Sequence, residues 1–118
     1  MGFAHCDDWQ VWRRFMSEAL ATATAFEIHC WNEEAAAIAL ALQVGRVKEA
    51  AWRGGTVIAG PVDARFCEWL LALPKPSDTD LVNKMTPFFS IFLDNGAGSE
   101  HYGTTLTQQD VAEAAVFE

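Results

Sequence analysis

Glu27 and His29 form the best acid–base pair in this 118-residue sequence. They lie two positions apart in the segment 26–31, where Phe26, Ile28 and Cys30 alternate with more polar residues. Side chains two apart on a strand share one face, so a carboxylate could orient the imidazole and support proton transfer. A histidine packed between aromatic rings with one hydrogen bond explains the same pattern. Because no other motif indicates a reaction, we expect no enzymatic activity.

The cysteines and histidines predict no metal site and no other cofactor. His29 and Cys30 are neighbours on a predicted strand, so they point to opposite faces. The sequence also lacks the close ligand pairs that are typical of zinc sites. Cys30 and Cys67 both lie on predicted apolar faces, where a free thiol acts as a small buried hydrophobe.

The net charge of the chain indicates which kinds of partner it can bind. It carries 16 acidic and 8 basic side chains, a formal net charge of −8 at pH 7. Such a surface suits phosphate backbones poorly, so we expect no nucleic acid. Lys84 is the last basic residue, and five acids follow it: Asp94, Glu100, Asp110, Glu113 and Glu118. Either this composition only solubilises the protein, or an acidic face steers a basic protein partner onto it.

Hydrophobic periodicity predicts an α+β protein with one domain, residues 1–118. The pattern indicates helices over 9–23, 35–44, 66–73 and 111–115, and strands over 26–31, 46–53, 56–60, 86–94 and 101–106. Gly54-Gly55 predicts a two-residue hairpin turn, and Gly96-Ala97-Gly98-Ser99 a flexible connection. The middle, residues 25–94, reads βαββαβ, the order of the ferredoxin-like fold. We therefore expect a ferredoxin-like core with an added N-terminal helix and a C-terminal strand and helix.

One face of the predicted sheet raises the question of what covers it. We expect Phe26, Ile28, Phe89, Ile91 and Leu93 to face the two core helices. Alternation sends another set to the opposite face, with Trp52 beside it: Glu27, His29, Trp31, Phe88, Ser90 and Phe92. This face is too apolar to be left in water. The favoured cover is the first helix; the alternatives are a second copy or a ligand cavity.

The chain shows no sign of a membrane span or of export. Its longest uncharged run, residues 35–45, is far shorter than the roughly 20 apolar residues that a spanning helix needs. The N-terminal residues turn acidic at once, unlike a signal peptide. Three widely spaced cysteines do not form a disulfide framework. We therefore expect a cytoplasmic protein, as a monomer or a homodimer.

In size, acidity and tryptophan content the chain resembles the small acidic immunity proteins of bacterial toxin–immunity systems. The resemblance is at the level of the class. It lies in the acidic stretch after Lys84 and in the acidic and aromatic segment 26–34. It implies a non-catalytic inhibitor that covers a basic toxin domain such as a nuclease. The partner contacts it implies are Glu27, Trp31, Glu33, Glu34, Asp94, Glu100 and His101.

Two further interpretations remain open. The first is a small-ligand sensor or a small enzyme with an aromatic cavity over the sheet, lined by Trp31, Trp52, Phe88 and Phe92, with His29 and Glu27 as polar groups. The second is a structural module that dimerises through the open sheet.

Overall fold

The computed structural model describes residues 2–50, 52–77 and 82–108, which form three helices and one antiparallel sheet of seven strands. The elements are β1 (Gly2–His5), α1 (Trp9–Leu20), β2 (Ala25–Trp31), α2 (Ala35–Ala41), β3 (Arg46–Lys48), β4 (Gly55–Pro61), α3 (Ala64–Ala72), β5 (Ser90–Leu93), β6 (Ala97–Glu100) and β7 (Thr105–Gln108). The predicted α+β class is confirmed. The predicted helix over 111–115 lies outside the described residues.

The strand order is β1-β7-β6-β5-β2-β4-β3, with every neighbouring pair antiparallel. The four strands of the segment 25–94 are neighbours in the order β5-β2-β4-β3. Three further strands, β6, β7 and β1, continue the sheet beyond β5. The order of the seven-stranded sheet is therefore not the ferredoxin pattern. The short strand β1 was missed because four residues are too few to show an alternation.

Local side-chain bonds explain where the helices begin. Asp8 caps α1 by accepting hydrogen bonds from the backbone N–H groups of Gln10 and Val11, at 2.8 and 3.3 Å. Asp63 caps α3 by accepting from the N–H of Phe66 at 2.8 Å. The helix α2 has no side-chain cap and ends at Ala41, three residues earlier than predicted.

All three helices pack on one face of the sheet. The core there joins Phe26 and Ile28 of β2 to buried residues of the helices, among them Met16 of α1 and Phe66 of α3. Phe26 and Phe66 stack with ring centroids 4.0 Å apart. The expectation that α1 covers the opposite face is wrong, because its apolar stripe extends the helical layer over β6 instead. Trp12 of α1 bonds there to Ser99 of β6.

Three strand predictions need correction. The predicted strand 86–94 is only Ser90–Leu93, since Pro87 lacks the N–H that a ladder requires. Only residues 105 and 106 of the predicted strand 101–106 are strand, as the start of β7, while 101–104 form a turn; the supposed flexible connection at 96–99 contains most of β6. Finally, β3 ends at Lys48, and a loop longer than two residues joins β3 to β4. Gly54-Gly55 is therefore not a two-residue hairpin turn.

The strand β6 was not predicted from the sequence because its small residues have low strand propensity. Their size is nevertheless required. A Cβ atom on Gly98 would lie 2.4 Å from the Thr107 hydroxyl oxygen and 3.2 Å from the Phe92 ring. The close approach of these two side chains leaves room only for glycine at position 98.

Candidate functional site

The face of the sheet opposite the helices, here called the open sheet face, gathers most of the residues singled out from the sequence. Glu27, His29 and Trp31 lie on it along β2. The strand register places Phe92 beside Glu27 and Ser90 beside His29. No helix in the described ranges packs on this face, so its aromatic side chains supply most of the cover.

Glu27 is the centre of a charged cluster on this face. The residue is only 8% exposed. Its Oε1 atom lies 3.0 Å from Nε2 of His29, which confirms that the two side chains share a face. Its other oxygen, Oε2, accepts a hydrogen bond from the Lys48 ammonium. Because an ionised carboxylate only accepts hydrogen bonds, Nε2 of His29 is the donor in this contact.

Lys48 could not be assigned to this cluster from the sequence. It lies on the edge strand β3 and pairs with Val57 of β4, which in turn pairs with His29. This placement depends on the strand order, and the predicted long strand 46–53 gave no register. With Lys48 present, the buried carboxylate has a countercharge, which is what a carboxylate at such a depth needs.

Five aromatic residues form a second group at the end of the open sheet face, here called the aromatic cluster: Trp31, Trp52, Phe89, His101 and Tyr102. The ring centroids of Trp31 lie 4.8 Å from Trp52 and 4.9 Å from Phe89. Phe89 continues to His101 at 5.6 Å and to Tyr102 at 5.4 Å, in both cases edge to face. Such pairs add stabilisation beyond the apolar area that they bury.

His29 connects the charged cluster to the aromatic cluster. Its ring centroid lies 5.7 Å from that of Trp52 and 5.0 Å from that of Phe92. His29, Trp52 and Phe92 are each partly exposed. The predicted cavity residues therefore do meet, with one exception.

The exception is Phe88, which lies on the helix side. It is fully buried and stacks on Trp69 of α3 at 5.7 Å. Its neighbour Phe89 belongs to the open sheet face instead, contrary to prediction. Both residues precede β5, so the two-residue alternation extrapolated from the strand does not reach them.

Glu34 ties the aromatic cluster to the junction between β2 and α2. Its Oε1 accepts from the Trp31 N–H at 2.9 Å, and its Oε2 accepts from the Tyr102 hydroxyl at 2.8 Å. Glu33 and Glu34, together with Lys84 and Pro87, line a cavity of about 440 Å³ beside the cluster. Glu33 is exposed, and Glu100 pairs with Ser90 in the register. Carboxylates therefore border the aromatic surface.

Asp94 does not join the other predicted contact residues. It follows β5 at the opposite end of the strand, where its carboxylate accepts from the backbone N–H of Thr24 at 2.8 Å and from the Thr24 hydroxyl. Partial burial raises the pKa of the Asp94 carboxyl, but these hydrogen bonds outweigh it and bring the pKa below its ordinary value. Asp94 is thus engaged in holding the chain between α1 and β2.

Cys30 and Cys67 do not lie on the open sheet face. Cys30 is fully buried and faces the helices, and Cys67 is half-buried. Burial, together with the nearby charge of Glu34, raises the pKa of the Cys30 thiol to about 12. Among the described residues, no three histidine, cysteine or acidic side chains come together as a metal-binding group.

The turn between β6 and β7 contributes two residues with unusual backbones. His101 has φ 52° and Tyr102 has φ 60°, both in the left-handed region. Sequence analysis assigned His101 to the candidate site from its residue type alone. It did not assign Tyr102, Phe89 or Lys48 to the site. The single sequence signal for the turn is Gly103, which follows with φ 86°.

Comparisons with known proteins show no family for this chain. No protein-family model, curated protein or solved structure gives a significant match to this chain. Within the described ranges, the helices are too short and too polar to cross a membrane.

Proposed function

We propose that this protein is a non-catalytic inhibitor of the immunity-protein type, which binds a basic toxin domain such as a nuclease through one end of its open sheet face. The docking surface consists of the aromatic cluster with Glu33, Glu34 and Glu100. The observation that carries the proposal is the position of this cluster, on a sheet face over which no described helix packs and bordered by carboxylates.

The composition of the docking surface suits a protein partner. Partly exposed tryptophans such as Trp31 and Trp52 are the residue type that most often anchors an interface. The surrounding carboxylates would speed encounter with a basic domain and disfavour acidic ones. We place this encounter in the cytoplasm, a compartment in which the free thiols of Cys30 and Cys67 stay reduced.

Charge reversal on the docking surface tests the proposal. The probe is any basic protein whose gene adjoins the gene of this chain, co-expressed with it and scored by co-purification and by protection of growth. The E33K/E100K variant should bind at least about tenfold more weakly and protect less, because the charges of exposed Glu33 and half-buried Glu100 both change sign. Glu34 is left intact, since its carboxylate holds Trp31 and Tyr102 in place.

The matched control is E18K/E68K, which changes the net charge equally. Glu18 and Glu68 lie exposed on α1 and α3, on the other side of the sheet. This control should bind like the unmodified chain. Equal binding by E33K/E100K, or the failure of the unmodified chain to bind any basic protein encoded beside it, would overturn the proposal.

A second candidate function rests on the charged cluster. The carboxylate of Glu27 is buried between His29 and Lys48, and the rings of Trp52 and Phe92 flank His29. This arrangement fits a small-ligand sensor or a small enzyme with His29 as the proton-transferring group. Titration of a metabolite panel against tryptophan fluorescence tests it. The ligand should quench the fluorescence of the unmodified chain and not that of H29Q; no response to any ligand would remove this candidate.

A further inference from the structure

The turn at His101 and Tyr102 places two consecutive residues in strained backbone conformations. Two successive non-glycine residues adopt left-handed backbone angles there, an arrangement that costs L residues free energy. The N–H of Gly103 donates to the Glu100 carbonyl at 3.1 Å and closes a tight turn around the pair. Asparagine and glycine normally occupy both central positions of such a turn.

Contacts from the rest of the fold hold Tyr102 in this conformation. Its N–H donates to the Phe89 carbonyl at 3.0 Å, and its own carbonyl accepts from the N–H of Met85 at 2.8 Å. Its hydroxyl donates to Glu34. Strain persists only where the surroundings fix it in this way, and it concentrates at functional sites.

The His101 imidazole, by contrast, makes one ring contact and no side-chain hydrogen bond to the described residues. Its side chain is exposed, and its ring meets the Phe89 ring edge to face. Its carbonyl accepts from Thr104, a bond that any residue at this position could make. A glycine or an asparagine would adopt the backbone at lower cost. The fold alone therefore does not account for an exposed histidine in this strained position.

We propose that His101 is a preorganised, specificity-determining contact of the docking surface, and that Tyr102 and Glu34 act as its positioning residues. This inference rests on the proposed function. Its chemistry is a hydrogen bond from the His101 imidazole to the basic partner, made by a side chain whose backbone is already fixed. Fixing the turn in advance reduces the entropy lost on binding, which is how rigid contacts gain affinity.

The test measures binding and stability in parallel with the basic protein encoded beside this chain. H101G should bind at least about tenfold more weakly while its thermal midpoint changes little, because the backbone strain that glycine relieves offsets the lost contact with the Phe89 ring. Y102F, which removes only the hydroxyl, should also weaken binding. H5A is the matched control, since His5 is an exposed histidine on the edge strand β1, outside the docking surface; it should bind normally.

The outcomes separate this inference from the proposal on which it rests. If E33K/E100K loses binding while H101G binds like the unmodified chain, the role of His101 is overturned and the inhibitor proposal stands. A lower thermal midpoint for H101G would show that the imidazole serves the fold and would also overturn the inference. If the unmodified chain binds no such basic protein, both fail together.

Discussion

Trp12 donates its indole N–H to the Ser99 hydroxyl across 2.9 Å, and both residues are buried. The bond joins α1 to β6, two elements 87 positions apart in the sequence. It fixes α1 on the helix side of the sheet. The opposite face, with its charged and aromatic clusters, is consequently left outside the helical layer.

Removing the Ser99 hydroxyl should destabilise the protein. S99A leaves the Trp12 N–H buried without its acceptor, so we expect a loss of about 1–3 kcal/mol in the free energy of unfolding, measured with urea. T56A is the control, because the hydroxyl of Thr56 makes an exposed bond to Asn32 and its loss should cost less. Equal stability of S99A and the unmodified chain would show that the bond contributes nothing.

The sequence was most informative where one side-chain pattern spans a whole element. The alternation along 26–31 located β2 and paired Glu27 with His29, and the helical stripe located α1. The pattern gave the wrong answer where it was extended beyond an element, as at Phe88 and Phe89. There the chain before β5 no longer alternates, so the two rings lie on faces opposite to those predicted.

The rest of the candidate site depends on long-range pairing that one sequence does not contain. Lys48 reaches Glu27 only because β4 lies between their two strands. Tyr102 reaches Glu34 only because β6 and β7 extend the sheet beyond β5. Local propensity favours neither contact, since β6 is built from small residues and the turn carries no asparagine-glycine signal.

The buried Cys30 thiol should make stability fall in alkaline solution. Its pKa is raised from 9.0 to about 12, so the folded state keeps a proton that the unfolded chain loses above pH 9. The stabilisation is therefore complete below pH 9 and is lost as the pH rises toward 12. Between pH 8 and 10.5, the unmodified chain should lose about 2 kcal/mol more than C30A in urea unfolding. Parallel losses in the two proteins would contradict this assignment.

The Lys48 ammonium should stabilise the fold through Glu27. K48M removes a countercharge from a carboxylate that is 8% exposed, so we expect a loss of about 1–2 kcal/mol in urea unfolding. In E27Q/K48M the buried charge is absent, so much of the lost free energy of unfolding should be recovered. K75M provides the control, because Lys75 bonds only to Asn83 in an exposed position among the described contacts. A K48M protein as stable as K75M would count against this role.

Asp94 should matter for acid stability and not for partner binding. Because Thr24 holds its carboxylate with two hydrogen bonds, its pKa is lowered, and the stabilisation is present above the ordinary value of 3.8. It is lost as the pH falls through the lower folded value. D94N should lose less than about 1 kcal/mol at neutral pH, since the site is partly exposed, and its stability should depend less steeply on pH between 5 and 2. Binding to the basic partner should remain unchanged, because Asp94 lies at the far end of β5 from Glu33. If D94N leaves the dependence of stability on acid pH unaltered, Thr24 does not stabilise the charged carboxylate. If D94N weakens binding, Asp94 belongs to the docking surface.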